Sequence, residues 1–399
     1  MNRVLPEPSA PTVEVIRNPN LHIIFCTTLA AVMGVSSITP ALPLIAQTFE
    51  VTIQQIAWLI TIFTLPGILL TPALGVLADL IGRKKILFPS MLLFGIAGFL
   101  CTFADTYSQL LVLRFFQGVG AAAIGALNIT MIGDIFQGNE RATAMGYNSG
   151  VLSFGATLYP LIGGALATFG WFFPFYLPLL AIPVAFLILY KLDNPEPEKV
   201  LSKTRYFKTV AGHLKNRRIL LLFGATLASF LLLYGPILTM IPFLINERFN
   251  SSSLIIGLSI GFIALGNGIS AFNMGRLASR FTEQLLLKIS FIMYAISLAS
   301  ISFIPTIWML CLAILIYGLA QGINIPVIVT LLSAETYLES RAAIMSLNGM
   351  VLRIAQTIGP VFITMLFVMG GFHAAYLVSS LFAFIIGLWV ILRLDSKVE

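Results

Sequence analysis

Charge is what this sequence has least of. Only 10% of its 399 residues are Asp, Glu, Lys or Arg, against about 25% in an ordinary soluble domain, so it cannot clothe a water-facing surface. Cysteine is scarce as well: Cys26, Cys101 and Cys311 are odd in number and all lie in apolar stretches, which excludes a disulfide framework and makes them small core residues. The three histidines, His22, His213 and His373, are far apart and have no metal-ligand spacing; no metal and no cofactor are expected. Acids are missing from the interior of every long apolar run. Asp79, Asp134, Glu140, Glu335 and Glu339 collect at one set of ends and Glu50, Asp105 and Glu247 at the other. A membrane enzyme acting on lipids would need acids or histidines clustered at an interface, so that reading is a remote alternative and the protein is expected not to be an enzyme.

What the chain does have is hydrophobic length. Hydrophobic residues make up 58% of it, in runs of roughly 20 residues or more that can each cross a hydrocarbon core of about 30 Å at 1.5 Å per residue. Twelve such runs are expected: 21–45, 53–78, 86–104, 108–133, 142–168 and 171–190, then 218–246, 253–277, 285–304, 306–333, 342–369 and 372–392. They are too long and unbroken for membrane β-strands, which read as alternating segments of about ten residues. The expected fold class is therefore an all-α membrane protein. The first run follows a Pro-rich polar tail and is too long for a cleaved signal core, so it is expected to be retained.

The net charge of +7 would suit nucleic acid if it were spread over one soluble face. It is not. With the N-terminus in the cytoplasm, all but Arg114, Arg248 and Arg353 of the 23 Lys and Arg residues fall on the inner side, as the positive-inside rule requires. The expected location is thus the cytoplasmic (inner) membrane, with both termini cytoplasmic, the lipid bilayer as partner, and no nucleic acid. One long hydrophilic stretch divides the runs six and six. The expected organisation is a tail at 1–20, a six-helix bundle at 21–191, a basic linker at 192–217, a second bundle at 218–393 and a tail at 394–399.

The two halves repeat. Shifted by 200 residues, Gly75, Leu77 and Ala78 fall on Gly275, Leu277 and Ala278. Arg141, Ala142, Met145, Asn148, Val151, Leu152, Thr157 and Pro160 likewise fall on Arg341, Ala342, Met345, Asn348, Val351, Leu352, Thr357 and Pro360. Duplicated six-helix units are the pattern of transporters whose halves rock about a site near the midplane.

Three motifs sharpen this. The loop after the second run reads Gly75-Val-Leu-Ala-Asp79-Leu-Ile-Gly82-Arg83-Lys84-Lys85; its glycines permit a tight reversal, and Asp79 offers a carboxylate to a helix N-terminus and to Arg83. The fourth run carries Leu110-(x3)-Arg114-(x2)-Gln117-Gly118-x-Gly120, and the fifth Gly146-(x8)-Gly155-(x3)-Tyr159-Pro160-(x2)-Gly163-Gly164. Small residues on one face let helices approach closely, and Pro160 removes a backbone hydrogen bond.

Together these resemble the major facilitator superfamily, and the fifth-run pattern resembles the antiporter motif of its drug:proton antiporters. Leu80 replaces a usual basic residue of the loop motif, and Tyr159 a usual glycine of the antiporter motif. The resemblance implies twelve transmembrane helices in two pseudo-symmetric six-helix bundles. It also implies a cytoplasmic latch in which Asp79, Arg83 and Asp134 form a charge relay, with Gly75, Gly82, Arg114 and Gln117 in gating and coupling. Arg114, one and a half turns from the outer end of its run, could partly snorkel.

Arg353 is expected near the bilayer midplane, about 18 Å along the helix from Arg341. Its helical neighbours Ser346, Gly349, Gln356, Thr357 and Pro360 make a small, polar face. An Arg there costs about 2.5–3.5 kcal/mol on insertion scales unless it faces protein or water. The expected substrate cavity is lined by Arg353, Gln356, Asn128, Asn267, Asn324 and Gln321. The expected function is a secondary active transporter, monomeric in kind with its family, that exports small amphipathic drugs or metabolites by alternating access in exchange for protons. Asp134, then Glu247, is the expected titrating group. The alternative is a dedicated exporter of one anionic or hydroxyl-rich metabolite, such as a sugar or siderophore, with Arg353 as its selectivity residue.

Overall fold

A computed structural model describes residues 15–193, 216–336 and 338–394. Among the described residues, eleven helical stretches are long and apolar enough to cross a membrane: α1 Pro19–Thr48, α2 Ile53–Ile81, α3 Arg83–Phe103, α4 Tyr107–Ile135, α5 Gly138–Ala167, α6 Phe173–Lys191, α7 Arg217–Phe249, α8 Ser253–Arg280, α9 Glu283–Phe303, α10 Ile307–Ala334, and a last stretch running through Ile344–Val390. The last is two helices. The backbone leaves helical geometry at Gly370 and at Gly371, whose φ of 63° suits a residue without Cβ; α11 is 338–369 and α12 is 372–394. The tail at 1–14, His213 and most of the basic linker lie outside the described residues, as does the C-terminal tail from 395.

The helices start where polar side chains can satisfy the first free N–H groups outside the apolar zone. Thr52 with Gln55 caps α2 and Thr106 with Gln109 caps α4, each as a reciprocal capping box. Asn18, Asn216 and Thr282 accept from the first turns of α1, α7 and α9. Several helices extend up to four residues beyond the apolar runs at their charged ends, because a helix needs no apolar residue once it leaves the hydrocarbon.

α6 begins as a 3-10 helix over Phe173–Leu180 and α3 ends in one over Cys101–Phe103, and two further helices depart from regular α geometry. α1 tightens to a 3-10 turn at Thr39–Ala41, before Pro43. α7 opens into a π-helix at Leu233–Met240 around Pro236, a form that frequently marks functional sites.

Within the first half α2 and α3 pack on α4, α1 on α4 and α5, and α3 on α6; within the second, α8 and α9 pack on α10 and α7 on α11. The 200-residue repeat recurs in the packing. Gly118 of α4 lies against the Phe63 backbone of α2, and Gly318 of α10 lies against the Ile263 backbone of α8, each so close that a Cβ would strike a carbonyl. Two long seams join the halves, α2 with α11 and α5 with α8, and the end of α1 adds smaller contacts with α7 and α8.

Candidate functional site

The α2–α11 seam holds a polar cluster at mid-depth. Arg353 lies midway along α11, half-buried, and its Nη1 donates to Gln356 Oε1 at 3.1 Å. The Gln356 amide in turn donates to the Tyr234 hydroxyl at 2.9 Å, and Tyr234 is carried by the π-helix of α7. Across the seam, Cβ positions built on Gly67 of α2 and Gly125 of α4 would stand 3.2 Å from Arg353 Cδ and 2.7 Å from its Nη2. The first half therefore offers the guanidinium a notch made by the missing side chains. Thr61 donates to the Thr357 carbonyl at 3.0 Å, and the Thr357 hydroxyl lies 3.0 Å from that of Thr64. Among the described residues the ion pairs are Arg83–Asp79, Arg83–Asp134 and Arg218–Glu335, and none includes Arg353.

The seams are tight at one end of the molecule and open at the other. In α5 and α8, Gly164 faces the Gly257 backbone and Gly257 faces the Pro160 and Gly164 backbones, with no room for a Cβ on either. Toward the end that carries Asp79, Arg83 and Lys191, here termed the basic end, Gly75, Gly146, Gly150, Gly268, Gly275 and Gly349 have nothing within 4 Å of a Cβ position. The same four helices, α2, α5, α8 and α11, thus touch across the seams at the opposite end, while their glycines toward the basic end face open space.

At the basic end, Arg83 at the start of α3 is 5% exposed and lies between Asp79 of α2, at 3.4 Å, and Asp134 of α4. Gly82, with φ of 104°, makes the turn that a residue with Cβ would strain. All three charged partners belong to the first half. Arg114 of α4 does not snorkel: it is fully buried, donating to the Gly34 carbonyl at 2.8 Å, to Gln117 Oε1 at 2.7 Å and to the Leu59 carbonyl at 3.3 Å, with Phe63 under its guanidinium. The Gly34 carbonyl is free because the Ile38 N–H turns to Val35 where α1 kinks, just before its 3-10 turn. The physical reason is the kink, which supplies a carbonyl nearer than the membrane surface.

The model of the Major Facilitator Superfamily matches residues 24–287 and 237–399. The chain belongs to that superfamily. This facilitator is 25% identical over 88% of its length to the tetracycline resistance protein, class B, of Escherichia coli, covering 89% of that protein, and 27% identical over 86% of its length to the multidrug resistance protein MdtG of Salmonella arizonae, covering 88%. It is 32% identical to the bacillibactin exporter of Bacillus subtilis, but over only 39% of this chain and 40% of that protein. Among solved structures, a bacterial homologue of the human lysosomal transporter Spinster, inward-facing and occupied, superposes with a TM-score of 0.79 at 18% identity, over 98% of both chains.

Of the residues expected to line the facilitator's cavity, the structure brings Arg353 and Gln356 together. Asn267 is half-buried on α8. Asn128, Asn324 and Gln321 are bonded in networks inside each half. Asn128 binds Thr27 and Thr28, and Thr28 donates to Asn148. Asn324 binds Ser229 and Ser290, and Gln321 accepts from Tyr294. Serine, threonine and tyrosine hydroxyls on neighbouring helices capture these amides, which an apolar surround would otherwise leave unpaired at a cost of about 1–3 kcal/mol each. The arrangement has its own symmetry: Thr28–Asn148 ties α1 to α5 and Thr226–Asn348 ties α7 to α11.

The antiporter-motif glycines divide by depth. Gly146 faces open space, Gly155 meets the Leu29 side chain, Gly163 the Ser37 backbone of α1, and Gly164 the second half. Tyr159 is buried, and the closest approach to α8 comes at Pro160 and Gly164 instead. Gln117 is buried against Arg114. Sequence reading missed Tyr234, Gly67 and Gly125. The one available signal was Tyr234-Gly235-Pro236, a helix-disturbing triplet inside an otherwise continuous run. His22 and His373 are exposed and stack near Phe25 and Phe303.

Proposed function

We propose that this facilitator exports small amphipathic compounds across the cytoplasmic membrane, acting as a monomer by alternating access in exchange for protons. The observation that carries the reading is the pair of seams, closed at one end and open at the other, around a polar cluster at mid-depth. With the basic end in the cytoplasm, as its Lys and Arg content favours, this is the state that loads from inside. The bundles at 21–191 and 218–393 are the rocking units, and 192–217 connects them. The efflux reading also draws on the relatives named as tetracycline and multidrug resistance proteins, which align over most of their lengths.

Asp79, Arg83 and Asp134 are assigned to the cytoplasmic latch, and Asp134 to proton exchange, since no carboxylate among the described residues lies deeper in the bundle. Asn267 is kept as a cavity residue. The test is purified protein in proteoliposomes with an imposed pH gradient and two dyes used in turn, the cation ethidium and an anionic naphthalene sulfonate. Dye movement that reverses when the gradient is reversed supports the proposal. Movement indifferent to the gradient refutes proton exchange, and failure to move either a cationic or an anionic dye refutes efflux.

A further inference from the structure

The cluster at the α2–α11 seam says more about what is carried. A guanidinium in low-dielectric surroundings is stable only when paired or well hydrogen-bonded. Arg114 meets that condition with two backbone carbonyls and a glutamine. Arg353 is given one neutral side-chain acceptor, Gln356, and no carboxylate. That single bond occupies Nη1, which leaves the Nε and Nη2 edge, the one suited to forked contact with two oxygens, turned toward Gly67 and Gly125. Gln356 accepts from Arg353 and donates to the Tyr234 oxygen, so its amide is fixed in orientation and the Tyr234 hydroxyl proton remains free for another acceptor. An arginine without a carboxylate partner and a phenol proton, set together at mid-depth in the seam, are complementary to an acidic oxyanion.

We propose, resting on the exporter reading, that the transported compound carries a carboxylate or a comparable acidic oxyanion that binds Arg353, with Tyr234 as a second donor. Gly67 and Gly125 set the position of the arginine by leaving room for its guanidinium. A side chain at either position takes the space of the guanidinium or of its ligand. The site selects against cations, because a positive group meets an unneutralised arginine.

The test uses a matched set of probes, 2-naphthoate, 2-naphthamide and 2-naphthylmethylammonium, with binding to the purified protein followed by tryptophan fluorescence and competition. The expected order is naphthoate well above naphthamide, with the ammonium weakest. Arg353→Gln should weaken naphthoate about tenfold or more, the size of a lost charge-assisted contact, and leave naphthamide within about twofold. Tyr234→Phe, which keeps the ring in place, should weaken naphthoate alone by a few-fold, and Gly125→Ala should do the same without removing a polar group. The proposal is overturned if naphthoate does not bind, if the three probes bind alike, or if Arg353→Gln weakens all three equally while Tyr234→Phe has no effect. Vesicle transport separates this from the exporter reading. Dye export insensitive to Arg353 leaves the exporter standing and removes the anion site, whereas naphthoate binding without any transport does the reverse.

Discussion

Gly257→Ala is a one-carbon perturbation of the seam closed at the end away from the basic cluster. A Cβ at Gly257 would collide with the Pro160 carbonyl oxygen, lie 3.0 Å from its carbon and 3.3 Å from the Gly164 Cα. Every one of these is backbone, so no rotamer change relieves the contact. To reach ordinary separations of about 3.5–4 Å, α5 and α8 must part by roughly 1 Å. Overpacking of this kind costs about 1–3 kcal/mol, which shifts the equilibrium away from the state closed at that end by about 5- to 150-fold. The assay is the distance between spin labels at Gln47→Cys and Ser252→Cys, exposed positions at that end, with Cys26, Cys101 and Cys311 replaced by serine or alanine. Gly257→Ala should move most of the population to longer distances and slow transport. Gly261→Ala, four residues along the same helix face with nothing within 4 Å of its Cβ position, should leave the distribution near that of the parent. Equal distributions in the parent and Gly257→Ala would refute the reasoning that backbone contact at this seam holds the end shut.

Two further outcomes follow from the charged residues. Asp79→Asn removes one of the two carboxylates around Arg83 at the basic end; it should slow transport severalfold while probe affinity stays within about twofold, and abolished binding in a folded protein would contradict its distance from the seam cluster. Arg114→Leu leaves the Gly34 carbonyl and the Gln117 side-chain carbonyl buried without their donor, and should destabilise the detergent-solubilised protein by about 2–5 kcal/mol, read as a lower melting temperature; an unchanged melting temperature would mean that Arg114 is not part of the structural framework of the first half.

The helices were legible because the bilayer imposes a length on each apolar run, and the turn at Gly370–Gly371 was legible as the gap between two such runs. The helix ends were less so, since polar residues continue a helix once it is outside the hydrocarbon. Arg353 and Gln356 could be joined from spacing alone, being three residues apart on one helix. Tyr234 could not, because it arrives from α7 by way of a π-helix whose register no periodicity announces. The glycine notch was equally hidden: Gly67 and Gly125 matter for what is absent from them, opposite a residue nearly 300 positions away in the first case. Asn128, Asn324 and Gln321 show a related difficulty, since each is bonded to a hydroxyl within its own half. An amide in an apolar run must find a partner, but sequence does not say whether that partner is a ligand or, as here, a hydroxyl on the next helix.

The most direct measurement follows both ends of the molecule at once. One spin-label pair at Asn139→Cys and Ser279→Cys reports the basic end, and the pair at Gln47→Cys and Ser252→Cys reports the opposite end. Reversing the pH gradient or adding a transported probe should shorten the first distance and lengthen the second together. Distances that stay fixed during turnover, or that change in the same direction, would contradict alternating access by two rocking halves.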